Sequence, residues 1–163
     1  MDVSECMRTK LVLAKPDCDY KRLLCKIADS VPRLAYVVDD NYKLLGIVSA
    51  VDLLKVILPS YMSVGLARSF SDGTEFLQKQ VERVKDKRAE DIMVKKFSFL
   101  HPHHQLLKAD AMIAEKGFNT LPVIDEKGKL LGEITRLDIL VNLVNNCSDY
   151  NVDDAGLVDL SLL

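Results

Sequence analysis

The chain writes one sequence twice. Shifted by 86 residues it matches itself without a gap: Met7 falls on Met93, Lys10 on Lys96, Pro16 on Pro102, and Ile27-Ala28 on Ile113-Ala114. Lys43-Leu44-Leu45-Gly46 falls on Lys129-Leu130-Leu131-Gly132, and Asp52 on Asp138. Of the 48 positions from Met7 to Leu54, 13 are identical, and others agree in kind, as Ser49 does with Thr135. A match at fixed period indicates two copies of one supersecondary unit. With only two copies the arrangement is a pseudo-twofold pair and not a solenoid. A unit of about 50 residues buries only about 60% of the surface its unfolded chain exposes and is marginal alone. The copies are therefore expected to share a core, and clefts between them are natural ligand sites.

Each copy reads alike. "KLVLA" (10–14) and "KFSFL" (96–100) are short strand candidates, ended by Pro16 and Pro102. Helical spacing follows: Tyr20, Leu23, Leu24, Ile27 and Ala28 share one face. Leu106, Ala109, Ile113 and Ala114 do the same, with Asp110 at the edge. "LAYVVD" (34–39) and "TLPVID" (120–125) are apolar and β-branched. Turn signals at Asp40-Asn41 and Glu126-Lys127-Gly128 lead into the return strands "KLLGIVS" (43–49) and "KLLGEIT" (129–135). A last helix starts near Ala50 and near Arg136. The expected fold class is α/β (α+β): two β-α-β-β-α repeats packed sheet to sheet with pseudo-twofold symmetry. The expected repeats are 1–58 and 89–144. Between them, 59–88 is a linker with a helix from Thr74, where Leu77, Val81 and Val84 recur at helical spacing. Residues 145–163 form an acidic C-terminal tail with four Asp and no Lys or Arg.

Composition narrows the function classes. Hydrophobic residues make up 48% and charged residues 28%, as in an ordinary soluble globular protein, and the cysteine usage points to a cytoplasmic one. A net charge of −2 supplies no basic field to draw nucleic acid. "VERVKDKRAED" alternates both signs and reads as a solvated helix face. No apolar run approaches the roughly 20 residues that span a bilayer, and "MDVSECMRTK" lacks the apolar core of a signal peptide. Cys6, Cys18, Cys25 and Cys147 form no C-x-x-C pair and read as reduced, buried thiols. "HPHH" holds His101, His103 and His104, which raises a metal reading. It aligns, however, with the loop "KPDC" (15–18), His103 standing at the helix-cap position of Asp17, so no metal is expected. There is no G-x-S-x-G, no H-E-x-x-H and no Walker-type loop. No catalytic residue and no obligatory cofactor are expected.

The most informative stretch is "LLGEITRLDIL" (130–140), echoed by "LLGIVSAVDLL" (44–54). Ser49-x-x-Asp52 and Thr135-x-x-Asp138 stand where a strand passes into a helix. As helix chemistry they form a capping box, with Asp in place of Glu or Gln. As site chemistry, free N–H groups and a hydroxyl at a helix start bind phosphate, and a carboxylate takes the hydroxyls of a ribose. Gly46 and Gly132 mark either close backbone approach or a bulge. Both readings stand on the residues alone.

"GFNTLPVIDEKGKLLGEITRLDIL" (117–140) resembles the signature half of a CBS (cystathionine β-synthase) domain, and "LAYVVDDNYKLLGIVSAVDLL" (34–54) resembles the same half of a first copy. Two such domains in tandem form a Bateman module. The resemblance implies adenosine ligands (AMP, ADP, ATP or S-adenosylmethionine) in two clefts, with Asp52 and Asp138 on the ribose, Ser49 and Thr135 near the phosphates, and Arg136 as a further phosphate contact. It also implies that each base pocket comes from the facing copy. Lys96, Ser98, Phe118, Asn119 and Thr120 would face Asp52, while Lys10, Val12, Pro32, Arg33 and Leu34 would face Asp138. The first copy departs from the family at Tyr36, where Pro is usual. The resemblance thus implies a non-catalytic adenine-nucleotide sensor, a homodimer that signals to a separate effector protein. The other reading is a ligand-independent dimerisation or interaction module, in which Ser/Thr-x-x-Asp serves only as caps.

Overall fold

The computed structural model describes residues 1–146. The acidic tail expected at 145–163 lies almost wholly outside the described residues, as does Cys147. The first repeat runs β1 (Leu13–Ala14), α2 (Tyr20–Ala28), β2 (Leu34–Val38), β3 (Leu44–Ser49), α3 (Ala50–Ile57), preceded by a short helix α1 (Val3–Cys6). The linker holds α4 (Val64–Ala67) and α5 (Thr74–Val84). The second repeat runs α6 (Ala89–Ile92), α7 (Leu106–Lys116), β4 (Thr120–Ile124), β5 (Leu130–Thr135), α8 (Arg136–Asn146). β2 pairs with β1 in parallel and with β3 antiparallel, and β4 pairs antiparallel with β5.

Period-two alternation explains why the two central strands are buried on both faces. Ala35 and Val37 of β2 point to α2 and α3, where Leu23, Ile27 and Leu53 complete a core. Tyr36 and Val38 point the other way and meet Leu44, Ile124, Phe97 and Leu130 between the two sheets. Leu121, Val123 and Ile134 build the matching core of the second repeat against Ala109, Ile113 and Ile139. Sheet therefore packs on sheet. The return strands touch across the pseudo-twofold: Leu44 N–H donates to Gly128 O at 3.0 Å, and its counterpart Leu130 N–H donates to Tyr42 O at 2.9 Å.

Six expectations need correction. The strand expected at 96–100 does not form; a single bridge, Leu100 to Val123, takes its place. The cause is Pro122. In the first repeat Tyr36 N–H donates to Val12 O at 2.9 Å, but the matching position is a proline without a donor. The first strand also shrinks, from 10–14 to Leu13–Ala14. On α2, Leu24, Cys25 and Ala28 are exposed, as is Ala114 on α7, so the helices bury narrower faces than the spacing implied. Cys25 is thus not a buried thiol, whereas Cys6 and Cys18 are buried. The α2 cap is Asp19, whose side chain accepts from Arg22 N–H, and not Asp17. On α5, Val84 is buried beside Gln80, but Leu77 and Val81 are 44% and 39% exposed.

The segment leading into each repeat packs on the other repeat's partner elements. Val3 and Ser4 donate to His104 O and Pro102 O, and Arg8 exchanges backbone bonds with Glu133. The counterparts in the second copy do the same toward the first: Ala89 and Glu90 donate to Cys18 O and Pro16 O, and Val94 exchanges bonds with Ile47. The residues before Arg8 thus lie on the second repeat. This crossing accounts for both glycines. A Cβ on Gly46 would come within 2.6 Å of the Met93 sulfur, and one on Gly132 within 2.5 Å of Arg8 O. A register shift also falls opposite each glycine, between Val37 and Val38 and between Val123 and Ile124. Close approach and bulge coincide.

Candidate functional site

β3 delivers Ser49 to the start of α3, where its extended backbone makes it the N-cap. Asp52 Oδ2 accepts from Ser49 N–H and from the Ser49 hydroxyl, both at 2.8 Å, and Asp52 N–H donates back to Ser49 Oγ at 3.3 Å. Thr135 and Asp138 repeat the arrangement, with bonds of 2.9, 2.7 and 3.1 Å. The capping box is therefore real in both copies. It uses only one oxygen of each carboxylate. The fate of the other oxygen separates the copies.

Asp52 Oδ1 has no protein partner among the described residues. It belongs to a cleft of about 750 Å³ that Ile47, Ser49 and Asp52 form with the facing repeat's Lys96, Ser98, Phe118 and Thr120. Of the residues expected here, only Asn119 stands outside, on the exposed surface. The cleft size suits a nucleotide-sized ligand. Phe118 is half-buried and also packs on the second core, so one residue serves wall and core together. The Lys95 and Lys96 ammoniums and the N-terminus of α3 favour an anion in this space. Chemically, the cleft offers a hydroxyl-accepting carboxylate oxygen, an aromatic ring and cations.

The second cleft, of about 480 Å³, gathers Lys10, Val12, Pro32 and Leu34 with Tyr36 and Glu133. Thr135 and Asp138 do not line it. Thr135 is buried, and Asp138 Oδ1 accepts from Arg8 Nε at 2.6 Å. Arg33, in a left-handed conformation at φ 62°, is exposed, and so is Arg136. Glu133, only 2% exposed, stands here instead of Ile47. Tyr36 donates its hydroxyl to Glu133 at 2.6 Å, and Thr120 lies at 3.5 Å. Burial pushes the Glu133 carboxyl above the usual carboxylate range, against the opposing pull of the Tyr36 hydrogen bond and the Arg8 charge. Sequence reasoning missed Arg8 and Glu133. The signal was available: the 86-residue shift places Arg8 on Val94 and Glu133 on Ile47, two apolar-to-charged exchanges in adjoining positions.

The histidine loop holds His101, His103 and His104 with ring centroids 5.1 to 5.6 Å apart. Among the described residues no group of three His, Cys, Asp or Glu side chains is arranged to hold a metal ion. No described helix is long and apolar enough to cross a membrane.

The geometry has close parallels among known proteins. CBS domain-containing protein CBSX2, chloroplastic, of Arabidopsis thaliana is 29% identical over 139 residues, covering 82% of this chain and 58% of that protein. The chain therefore spans a little over half the length of that relative. The crystal structure of CBSX2 in complex with AMP aligns with a TM-score of 0.69 at 26% identity, over 90% of this chain and 98% of the other. A CBS domain-containing protein from Bacillus anthracis aligns with a TM-score of 0.71 at 21% identity, over 91% and 95% of the two chains, and shares the fold. The family model for the CBS domain matches residues 3–59 and again 89–145. Two matched copies, related by the same internal shift and packed sheet on sheet, settle the family: this chain belongs to the CBS domain proteins, as a tandem pair forming a Bateman module.

Proposed function

We propose that the chain is a non-catalytic sensor of adenosine nucleotides, which bind between the repeats and bias its contact with a separate effector protein. The observation that carries this reading is the cleft at Asp52. There one carboxylate oxygen holds the helix cap, and the other is left for the hydroxyls of a ribose. Ser49, Lys96, Ser98 and Phe118 share the same space. The relative CBSX2, crystallised with AMP, supports the choice of ligand class. Ligand spanning both repeats acts by population shift: it favours whichever relative tilt of the copies it binds better.

The sensor is proposed to work as a homodimer. Val51 and Leu54 on α3 are 56% and 61% exposed, and their counterparts Leu137 and Leu140 on α8 are both 57% exposed. Each pair is three residues apart and shares a helix face. Two matching apolar stripes, one per repeat, suit a twofold interface.

The alternative, a ligand-independent interaction module, draws on the capping boxes, because both hydroxyl–Asp pairs are already engaged with the backbone. Thermal unfolding with AMP, ADP, ATP and S-adenosylmethionine distinguishes the two. A ligand at about 100 times its Kd adds about 2.7 kcal/mol, which raises the midpoint of a domain this size by about 5–11 °C. If none of the four moves the midpoint, the sensor reading fails. If the shift survives Asp52→Ala, measured against that variant's own ligand-free midpoint, the ligand binds elsewhere.

A further inference from the structure

The two clefts are built from matching positions, and three of the exchanges between them bear on Asp138. Where the first is lined by Ile47, Val94 and Pro122, the second is lined by Glu133 and Tyr36, with Arg8 bonded to Glu133 beside it. Main-chain geometry is the same in both. Ile47 and Val94 exchange backbone bonds of 3.1 and 2.9 Å, and Glu133 and Arg8 exchange bonds of 2.9 and 2.8 Å. The substitution therefore places a guanidinium where the first cleft has a valine side chain, with no rearrangement of the backbone.

Arg8 is held there. Its carbonyl lies where a Cβ on Gly132 would come within 2.5 Å, so the segment sits tightly against β5. Its Nε donates to Asp138 Oδ1 at 2.6 Å, and its charge also acts on the buried Glu133. Asp138 Oδ2 is taken by Thr135 N–H and by the Thr135 hydroxyl. Both oxygens of Asp138 are thus occupied by protein, whereas Asp52 keeps Oδ1 unpartnered among the described residues. The side chain of Asp138 is 13% exposed, and that of Arg8 is 36% exposed.

We propose that Arg8 is a resident occupant of Asp138, so that nucleotide enters the first cleft alone and the second accepts it only once Arg8 is removed. This rests on the nucleotide reading above. A ribose that reaches Asp138 from the second cleft has to displace a charge-assisted hydrogen bond, an interaction of about 1.5–3 kcal/mol. That corresponds to about a ten- to hundredfold loss of affinity relative to a cleft whose carboxylate is free. Charge adds to the bias. The first cleft carries Lys95 and Lys96 against Asp52. The second carries Lys10 against Glu133, beside the closed Arg8–Asp138 pair, which leaves less net attraction for phosphate.

Isothermal titration calorimetry on the full chain, with AMP and in parallel ATP, tests this by stoichiometry. The wild type is expected to bind one nucleotide per chain, Asp52→Ala none, Arg8→Ala two, and Arg8→Ala with Asp52→Ala one. Two nucleotides per wild-type chain would overturn the proposal, as would a folded Arg8→Ala that still binds one. If Arg8→Ala does not fold by circular dichroism, Asp52→Ala decides with Arg8 intact: retained binding that Asp138→Ala then abolishes overturns the proposal, and lost binding supports it. If the wild type binds neither nucleotide, the sensor reading itself fails and this inference falls with it.

Discussion

Replacing Tyr36 with Phe removes one oxygen atom and tests the polar pair buried between the sheets. Tyr36 and Glu133 are 1% and 2% exposed, and the phenol donates to the carboxylate at 2.6 Å. The next donor, the Thr120 hydroxyl, lies at 3.5 Å and cannot replace it. Burial, followed by the Glu133 charge, pushes the Tyr36 phenol far up, so it stays a donor throughout the accessible pH range. Leaving a buried carboxyl oxygen without its donor costs about 1–3 kcal/mol. At about 2–4 °C per kcal/mol for a chain this long, the midpoint should fall by about 2–12 °C. The pH dependence has a definite sign. Burial raises the folded-state pKa of Glu133 above its ordinary value, so its contribution is fully present below that ordinary value and is lost as pH rises through the folded-state value. The Tyr36 bond favours the charged form, and removing it raises the folded value further. Tyr36→Phe should therefore cost more at pH 7 than at pH 4. Adding Glu133→Ile, the residue type of position 47, should restore most of the loss, because exchanging both partners for apolar groups is nearly neutral. Urea unfolding of the four-member cycle at both pH values measures all of this. A cost below about 0.5 kcal/mol at pH 7, or one larger at pH 4 than at pH 7, would refute the assignment of Tyr36 as the donor that holds the Glu133 carboxyl.

Gly132→Ala should destabilise the fold by about 1–3 kcal/mol, and by more than Gly46→Ala. Its new methyl meets the Arg8 backbone, whereas the methyl at Gly46 meets the flexible Met93 side chain, and thermal unfolding of the two variants compares them directly. Leu54→Lys with Leu140→Lys should convert a homodimer to a monomer in light scattering; an unchanged mass places the interface elsewhere. Alkylation of the native protein at pH 7 should label exposed Cys25 well before Cys6 and Cys18, whose thiols are pushed up by burial and hold little thiolate. Equal rates at the three sites would contradict the packing of the two cores.

Much of this fold was legible because it is written twice. Lys-Leu-Leu-Gly in two places located both hairpins, and Ser49 and Thr135 located the starts of α3 and α8. What the pattern hid has physical causes. The strand at 96–100 failed because one backbone N–H, at Pro122, does not exist, and propensity counts side chains rather than the partner strand's donors. Leu24, Ala28 and Ala114 were assigned to buried faces because spacing shows which residues share a helix side, not how wide the covering sheet is. The packing of α1 and Arg8 on the opposite repeat leaves no local trace, since its only mark is a pair of glycines that also suit a bulge. For the site, the repeat located Asp52 and Asp138, and the resemblance to the CBS family implied which residues face Asp52. The exchange of Val94 for Arg8 marked a difference between the copies, but it did not name Asp138, 130 positions away, as the partner of Arg8.

A crystal structure of the chain grown with AMP, or with ATP, tests the central claim most directly. The account predicts ligand density in the cleft at Asp52, with the ribose hydroxyls within hydrogen-bond distance of Oδ1, the base beside Phe118, and Arg8 still on Asp138. Ligand density elsewhere, or an empty Asp52 cleft at saturating nucleotide, would contradict it.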